Sequence, residues 1–129
     1  MSSVYMLDCT FRDGGYYNAW DFSESIIREY LVAMKGAQVG VVELGFRMLS
    51  TDGFKGACAF STDEFLRGLD IPEGLVVAVM VNAGDLLAGP EMEAALDTLF
   101  PCGSARSPVD LVRIACHVHE FAAALPAAQ

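Results

Sequence analysis

Four near-continuous apolar runs, each followed by a stretch of helical period, constrain this chain more than any other feature. They are VYMLDC (Val4 to Cys9), VGVVELGF (Val39 to Phe46), GLVVAVMVNAG (Gly74 to Gly84) and VDLVRIACHVHE (Val109 to Glu120). A strand that is apolar at successive positions rather than alternate ones is covered on both faces, as in a parallel sheet. Between the first two runs, DFSESIIREYLVAMKGAQ spaces Ile26, Ile27, Tyr30, Leu31 and Met34 at helical intervals. Asp21 or Ser23 can cap that helix, and Gly36 can end it. A short helix is predicted in STDEFLRGL, and another in GPEMEAALDTLF with Pro90 at its first position and Met92, Leu96 and Leu99 on its apolar face. A fourth begins in FAAALPAAQ. The recurrence of strand and helix predicts a right-handed parallel α/β architecture.

No Gly-rich GxGxxG or P-loop fingerprint follows the first run, so a nucleotide-binding doubly wound sheet lacks its usual signature. Polar residues instead gather where each run ends. Arg12 and Asp13 follow the first, Glu43 and Arg47 the second, Asn82 and Asp85 the third, and His117, His119 and Glu120 the fourth. A (β/α)8 barrel builds its site on that carboxyl face of the strands.

Composition narrows the partners. Seventeen acids against eight bases leave a formal net charge of -9 over 129 residues, which repels phosphate backbones and anionic lipid and predicts neither a nucleic-acid nor a membrane partner. No run reaches the roughly 18 apolar residues of a membrane span, and MSSVYML lacks the basic leader of a signal peptide, so a cytoplasmic location is expected. Cys9, Cys58, Cys102 and Cys116 are scattered singly, the pattern of reduced thiols rather than of a disulfide framework or zinc site.

The segment DCTFRDGGYYNAWDF resembles the first-strand motif D-x-T-L-R-D-G of the DRE-TIM metallolyases, and its continuation is most similar to the 4-hydroxy-2-oxovalerate aldolase branch. VELGFR resembles the family's second strand, which ends in a Glu, and LVRIACHVHE resembles the aldolase fourth strand. The resemblance implies the N-terminal half of a TIM (β/α)8 barrel, spanning residues 1–129 as one partial domain of four β/α units. It implies carbon-carbon bond cleavage or formation through the enolate of a pyruvate-type 2-oxo acid, with Mg²⁺ or Mn²⁺ as cofactor. By the same resemblance Asp13 ligates the metal, Arg12 stabilises the enolate, Glu43 orients Arg12, and His117 matches the histidine of the aldolase fourth strand. Arg47 and Tyr16 are the expected substrate contacts.

The residues by themselves leave other readings open. Arg12 with Glu43 can be a buried salt bridge that closes the sheet, and Asp13 a turn acid before glycine. His117 and His119 are two apart, a spacing suited to chelation on a strand, whereas the family's His-x-His lies on a later strand. Tyr16 stands where the aldolases carry a histidine, which leaves the general base unassigned. Two further functions remain alternatives: a non-catalytic half-barrel that binds a 2-oxo acid or serves oligomerisation, and Claisen-type condensation with an acyl-CoA. Four open strands predict an apolar inner face, with Val4, Met6, Val41, Val77 or Ala78, and Ala115 as its candidates, and hence a homo-oligomer or a covering C-terminal half.

Overall fold

The computed structural model describes residues 4–49 and 51–129. Within these residues, four strands form one sheet: β1 (Leu7–Asp8), β2 (Val41–Phe46), β3 (Val76–Asn82) and β4 (Leu111–Ala115). All pairs are parallel and the spatial order is β1-β2-β3-β4. Sequential order without reversal is how barrel strands are laid down, whereas a doubly wound sheet turns back at a switch point. The expected α/β class, with alternating strands and helices, is the fold observed.

Among the described residues, six helices accompany the sheet: α1 (Thr10–Asn18), α2 (Glu24–Gly36), α3 (Asp63–Arg67), α4 (Ala83–Leu87), α5 (Met92–Leu99) and α6 (Phe121–Ala124), with single 3₁₀ turns at Ala57–Ala59 and Leu125–Ala128. Ser23 caps α2, its hydroxyl accepting the Ile26 N–H, and Thr62 caps α3 by accepting the Phe65 N–H. Helix α2 buries Ile27 and Leu31 fully in the core cluster that also holds Phe11, Val42 and Leu44, and each such aliphatic side chain stabilises the fold by about 1.5 to 3 kcal/mol. Pro90 lies two residues before α5, not inside it, and Glu91 is the cap position.

Two helices were not legible in the sequence. The polar, Gly-rich stretch after the first run is the nine-residue helix α1 rather than a loop. Its end is built by Ala19 and Trp20, both left-handed (φ 58° and 57°), which turn the Trp20 ring back across the helix. The ring lies on Gly15, where a Cβ would stand 1.9 Å from Trp20 Cδ1. Trp20 Nε1 donates to the Arg12 carbonyl at 2.9 Å. Helix α4 starts directly after Asn82, in a segment that reads as the end of a strand.

The edges depart from expectation. Only Leu7 and Asp8 of the first run pair as a strand, and Val4, Tyr5 and Met6 are exposed. Leu111, Val112 and Arg113 of β4 are also exposed. Both strands lie at an open side of the sheet, where nothing among the described residues covers them. By contrast, Val41, Val77 and Ala78 are buried, so the apolar face predicted for the sheet interior is confined to its two margins.

One irregularity decides where side chains point. Glu43 pairs with Ala78 but Gly45 pairs with Val79, so Leu44 is an extra residue in β2. Such a bulge inverts the alternation beyond it. Phe46, opposite Met80, therefore joins Glu43 on the inner face, and Gly45 faces outward, its missing Cβ leaving room for the Cys58 carbonyl.

Candidate functional site

The inner face at the carboxyl ends of the strands holds the one cluster of charges that the sequence motifs anticipated. Asp8 ends β1 and accepts the Thr10 N–H at 2.9 Å and the Thr10 hydroxyl at 3.1 Å, which starts α1 at once. Two residues into that helix, Arg12 reaches across to β2 and donates from Nε to Glu43 Oε1 at 2.8 Å. Its Nη1 donates to Asp13 Oδ1 at 2.6 Å. Arg12 also lies over the Phe46 ring, 6.0 Å from its centroid.

Glu43 is wholly buried, and a carboxylate there requires compensating donors. Arg12 is one. The second is Arg113 on β4, whose Nη1 donates to both Glu43 oxygens at 3.2 and 3.0 Å. Arg113 is the residue that sequence reasoning missed. Its signal was an arginine inside an otherwise apolar strand run, an expense that a buried partner explains. Burial alone would lower the Arg12 pKa, but the hydrogen bond and charge of Glu43 and the charge of Asp13 raise it, so the guanidinium is firmly cationic.

Asp13 is mostly exposed, in the first turn of α1. Its Oδ2 lies 3.9 Å from the Cys9 thiol. The hard carboxylate fits one position in a Mg²⁺ or Mn²⁺ shell. Among the described residues, no group of three His, Cys, Asp or Glu side chains is placed to hold a metal ion. Asp13 is thus a single oxygen donor, and the described residues do not complete a shell around it.

An open depression of about 370 Å³ lies beside this cluster, lined by Tyr16, Asn82, Gly84, Ala115, Cys116, His117 and Glu120. Tyr16 joins it to the charge cluster by packing edge-on against Phe46 and Trp20. The His117 backbone N–H donates to Glu120 Oε2 at 2.8 Å. The His117 and His119 rings lie parallel, 5.5 Å between centroids. The structure therefore brings Arg12, Asp13 and Glu43 into one contact set, and Tyr16 and His117 into the adjoining cavity.

Arg47 is not brought there. Beyond the bulge its side chain passes to the outer face, where it is buried and donates to the Ser61 carbonyl at 3.1 Å, the Leu99 carbonyl at 2.7 Å and Asp63 Oδ1 at 2.5 Å. Its guanidinium ties β2 to α3 and α5 and stacks on Phe100.

Neither a family model nor a curated protein matches this sequence. The fold is similar to a crystal structure of the N-terminal domain of a candidate aldolase from Bacteroides vulgatus, at 29% identity and a TM-score of 0.63. The match covers 86% of this chain and 35% of that one, so the chain spans about a third of the protein it resembles. The fold is thus that of an aldolase-like α/β domain.

Proposed function

We propose that this chain is the N-terminal half of a metal-dependent aldolase barrel, in which Arg12 stabilises the enolate of a pyruvate-type 2-oxo acid during carbon-carbon bond cleavage or formation. The observation that carries this reading is the Arg12–Glu43–Arg113 triad at the carboxyl ends of parallel strands, together with the likeness to an aldolase domain. An arginine bonded to a buried carboxylate that a second arginine holds in turn is a preorganised cation. Preorganised charge stabilises a transition state without reorganising as the reaction proceeds.

Arg12 would donate to the keto oxygen as negative charge develops there, because its Nη2 has no partner among the described residues while Nε and Nη1 are held. Asp13 would offer one carboxylate oxygen to Mg²⁺ or Mn²⁺. Such an ion, when bound, supplies Lewis acidity toward the carboxylate and keto oxygens of the substrate. Tyr16 and His117 line the cavity next to the triad and are the groups of this chain suited to move a proton at the reacting partner's hydroxyl. Condensation with an acyl-CoA is the weaker reading, since no Lys or Arg lines that cavity to meet phosphates.

Deuterium exchange at the pyruvate methyl group, followed by NMR in the full-length protein with Mn²⁺ or Mg²⁺ supplied, tests the proposal. Exchange well above the buffer rate, abolished by a chelator, is the expected result. Exchange at the buffer rate overturns it and leaves a 2-oxo acid binding or oligomerisation module as the remaining function.

A further inference from the structure

The joint between β1 and α1 is held from a third element that touches neither the triad nor the cavity. On α2, Tyr30 donates its hydroxyl to Asp8 Oδ1 at 2.5 Å. The same Asp8 carboxylate accepts both donors of Thr10, the first residue of α1. The Tyr30 ring packs edge-on against Phe11, 4.5 Å between centroids, and Phe11 packs likewise against Phe22. Ring and hydroxyl therefore have separate tasks. The ring fills the apolar layer between α1 and α2, a task that phenylalanine would perform equally. The hydroxyl has a charged partner, and hydrogen bonds to charged groups are the stronger class.

We propose that Tyr30 is the positioning residue of this site: through Asp8 it fixes the first turn of α1 and so directs Arg12 onto Glu43. The far side of that turn is tied down independently, by Trp20 Nε1 on the Arg12 carbonyl. The peptide that carries Arg12 is thus held from both ends, and only the Tyr30 end is anchored on another helix. Ionisation states agree with a working contact. Burial alone would raise Asp8, but the bonds from Tyr30 and Thr10 outweigh it and lower its pKa, while burial and Asp8 push the Tyr30 hydroxyl upward. Tyr30 therefore stays a donor and Asp8 an acceptor.

The inference rests on Arg12 as the working cation, and its test reads the geometry of Arg12 apart from turnover. In the full-length protein, hydrogen exchange at Arg12 Nε–H, seen by NMR, reports the bond to Glu43. Arg47 Nε–H, bonded to the Ser61 carbonyl in another part of the fold, serves as the internal control. In Tyr30→Phe, Arg12 exchange is expected to accelerate about tenfold, the scale of one lost charge-assisted bond, with Arg47 unchanged. In the pyruvate exchange assay kcat should fall with KM held. Unchanged Arg12 exchange in a variant with a native spectrum overturns the proposal. Equal acceleration at Arg12 and Arg47 overturns it too, because the hydroxyl would then serve general stability. Should Tyr30→Phe not fold, Asp8→Asn asks the same question and must give the same selective acceleration. Absence of pyruvate exchange in the unmodified protein would count against the enolate chemistry alone and leave the Arg12 measurement to decide the role of Tyr30.

Discussion

Arg12 and Glu43 are 31 residues apart in sequence and 2.8 Å apart in space, joined Nε to Oε1 across the junction of a helix and a strand. The bond spends one nitrogen of the guanidinium and leaves the fork aimed by a partner that is itself immobile, because Arg113 grips the same carboxylate.

Lysine at position 12 keeps the charge and loses this geometry. Arg12→Lys is expected to lower pyruvate methyl exchange by about 10² to 10³, the usual cost of one preorganised electrostatic contact. An exchange rate equal to that of the unmodified protein would remove Arg12 from the reaction.

Asp13→Asn should weaken Mn²⁺ binding to the full-length protein, measured by calorimetry, since the amide keeps the shape but not the charge of the ligand. The Arg12–Glu43 bond runs through Nε and not through the Nη1 that Asp13 engages, so the fold should be unaffected. Equal affinity in both proteins excludes Asp13 as a ligand.

The two glycines of the opening motif should respond in opposite directions. A Cβ on Gly15 would collide with Trp20, whereas one on Gly14 meets nothing closer than Phe22 Cζ at 3.9 Å. Gly15→Ala is therefore expected to cost about 1 to 3 kcal/mol by overpacking. Gly14→Ala, in a helix interior, should stabilise by about 0.5 to 1 kcal/mol. Urea unfolding of the two variants decides; the same sign for both would contradict the packing described.

Acid should erode the buried ion pair. Burial alone would raise Asp63, but bonds from Arg47, Ser107 and Cys102 outweigh it and hold its carboxyl below the ordinary aspartate value. A depressed folded pKa means the unfolded chain binds the proton first, so this stabilisation is present above about pH 4 and is lost as the pH falls through the lower folded value. Arg47→Met leaves the Asp63 charge buried without its partner and should destabilise the protein by about 3 to 5 kcal/mol near neutral pH. Unfolding measured from about pH 7 down to about pH 3 should show that deficit shrinking. A deficit independent of pH would mean that Asp63 is not the group involved.

Thiol reactivity should separate two of the cysteines. Burial pushes the Cys58 thiol up to about 12, while Cys116 is exposed. At about pH 8 a thiolate-specific reagent should label Cys116 readily and spare Cys58 until the protein unfolds. Early labelling of Cys58 would show that the 3₁₀ turn carrying it opens in the folded state.

What the sequence made legible was whatever depends on local pattern. The buried runs of β2 and β3 and the apolar stripe of α2 follow from periodicity, and the pairing of Arg12 with Glu43 from a motif. Helix α1 was hidden because glycine and aspartate are poor helix formers, and its stability comes from Trp20 lying on Gly15, a contact that no local propensity reports. Arg113 was passed over because an arginine in an edge strand reads as solvated until the partner on β2 is seen. Arg47 was read at the mouth because it stands where the second run ends, and regular alternation counted from Glu43 would put it there.

That last count turns on Leu44, whose side chain has no part in the chemistry. A sheet has two faces, and each residue inherits its side from how the residues before it are paired. Paired regularly, with Leu44 opposite Val79 and no bulge, the same residues would turn the Arg47 guanidinium inward and the Phe46 ring outward, with neither residue altered. The electrostatic character of the mouth is therefore a matter of register as much as of composition, and a strand that paired every residue without the bulge would carry a different site under the same string of letters.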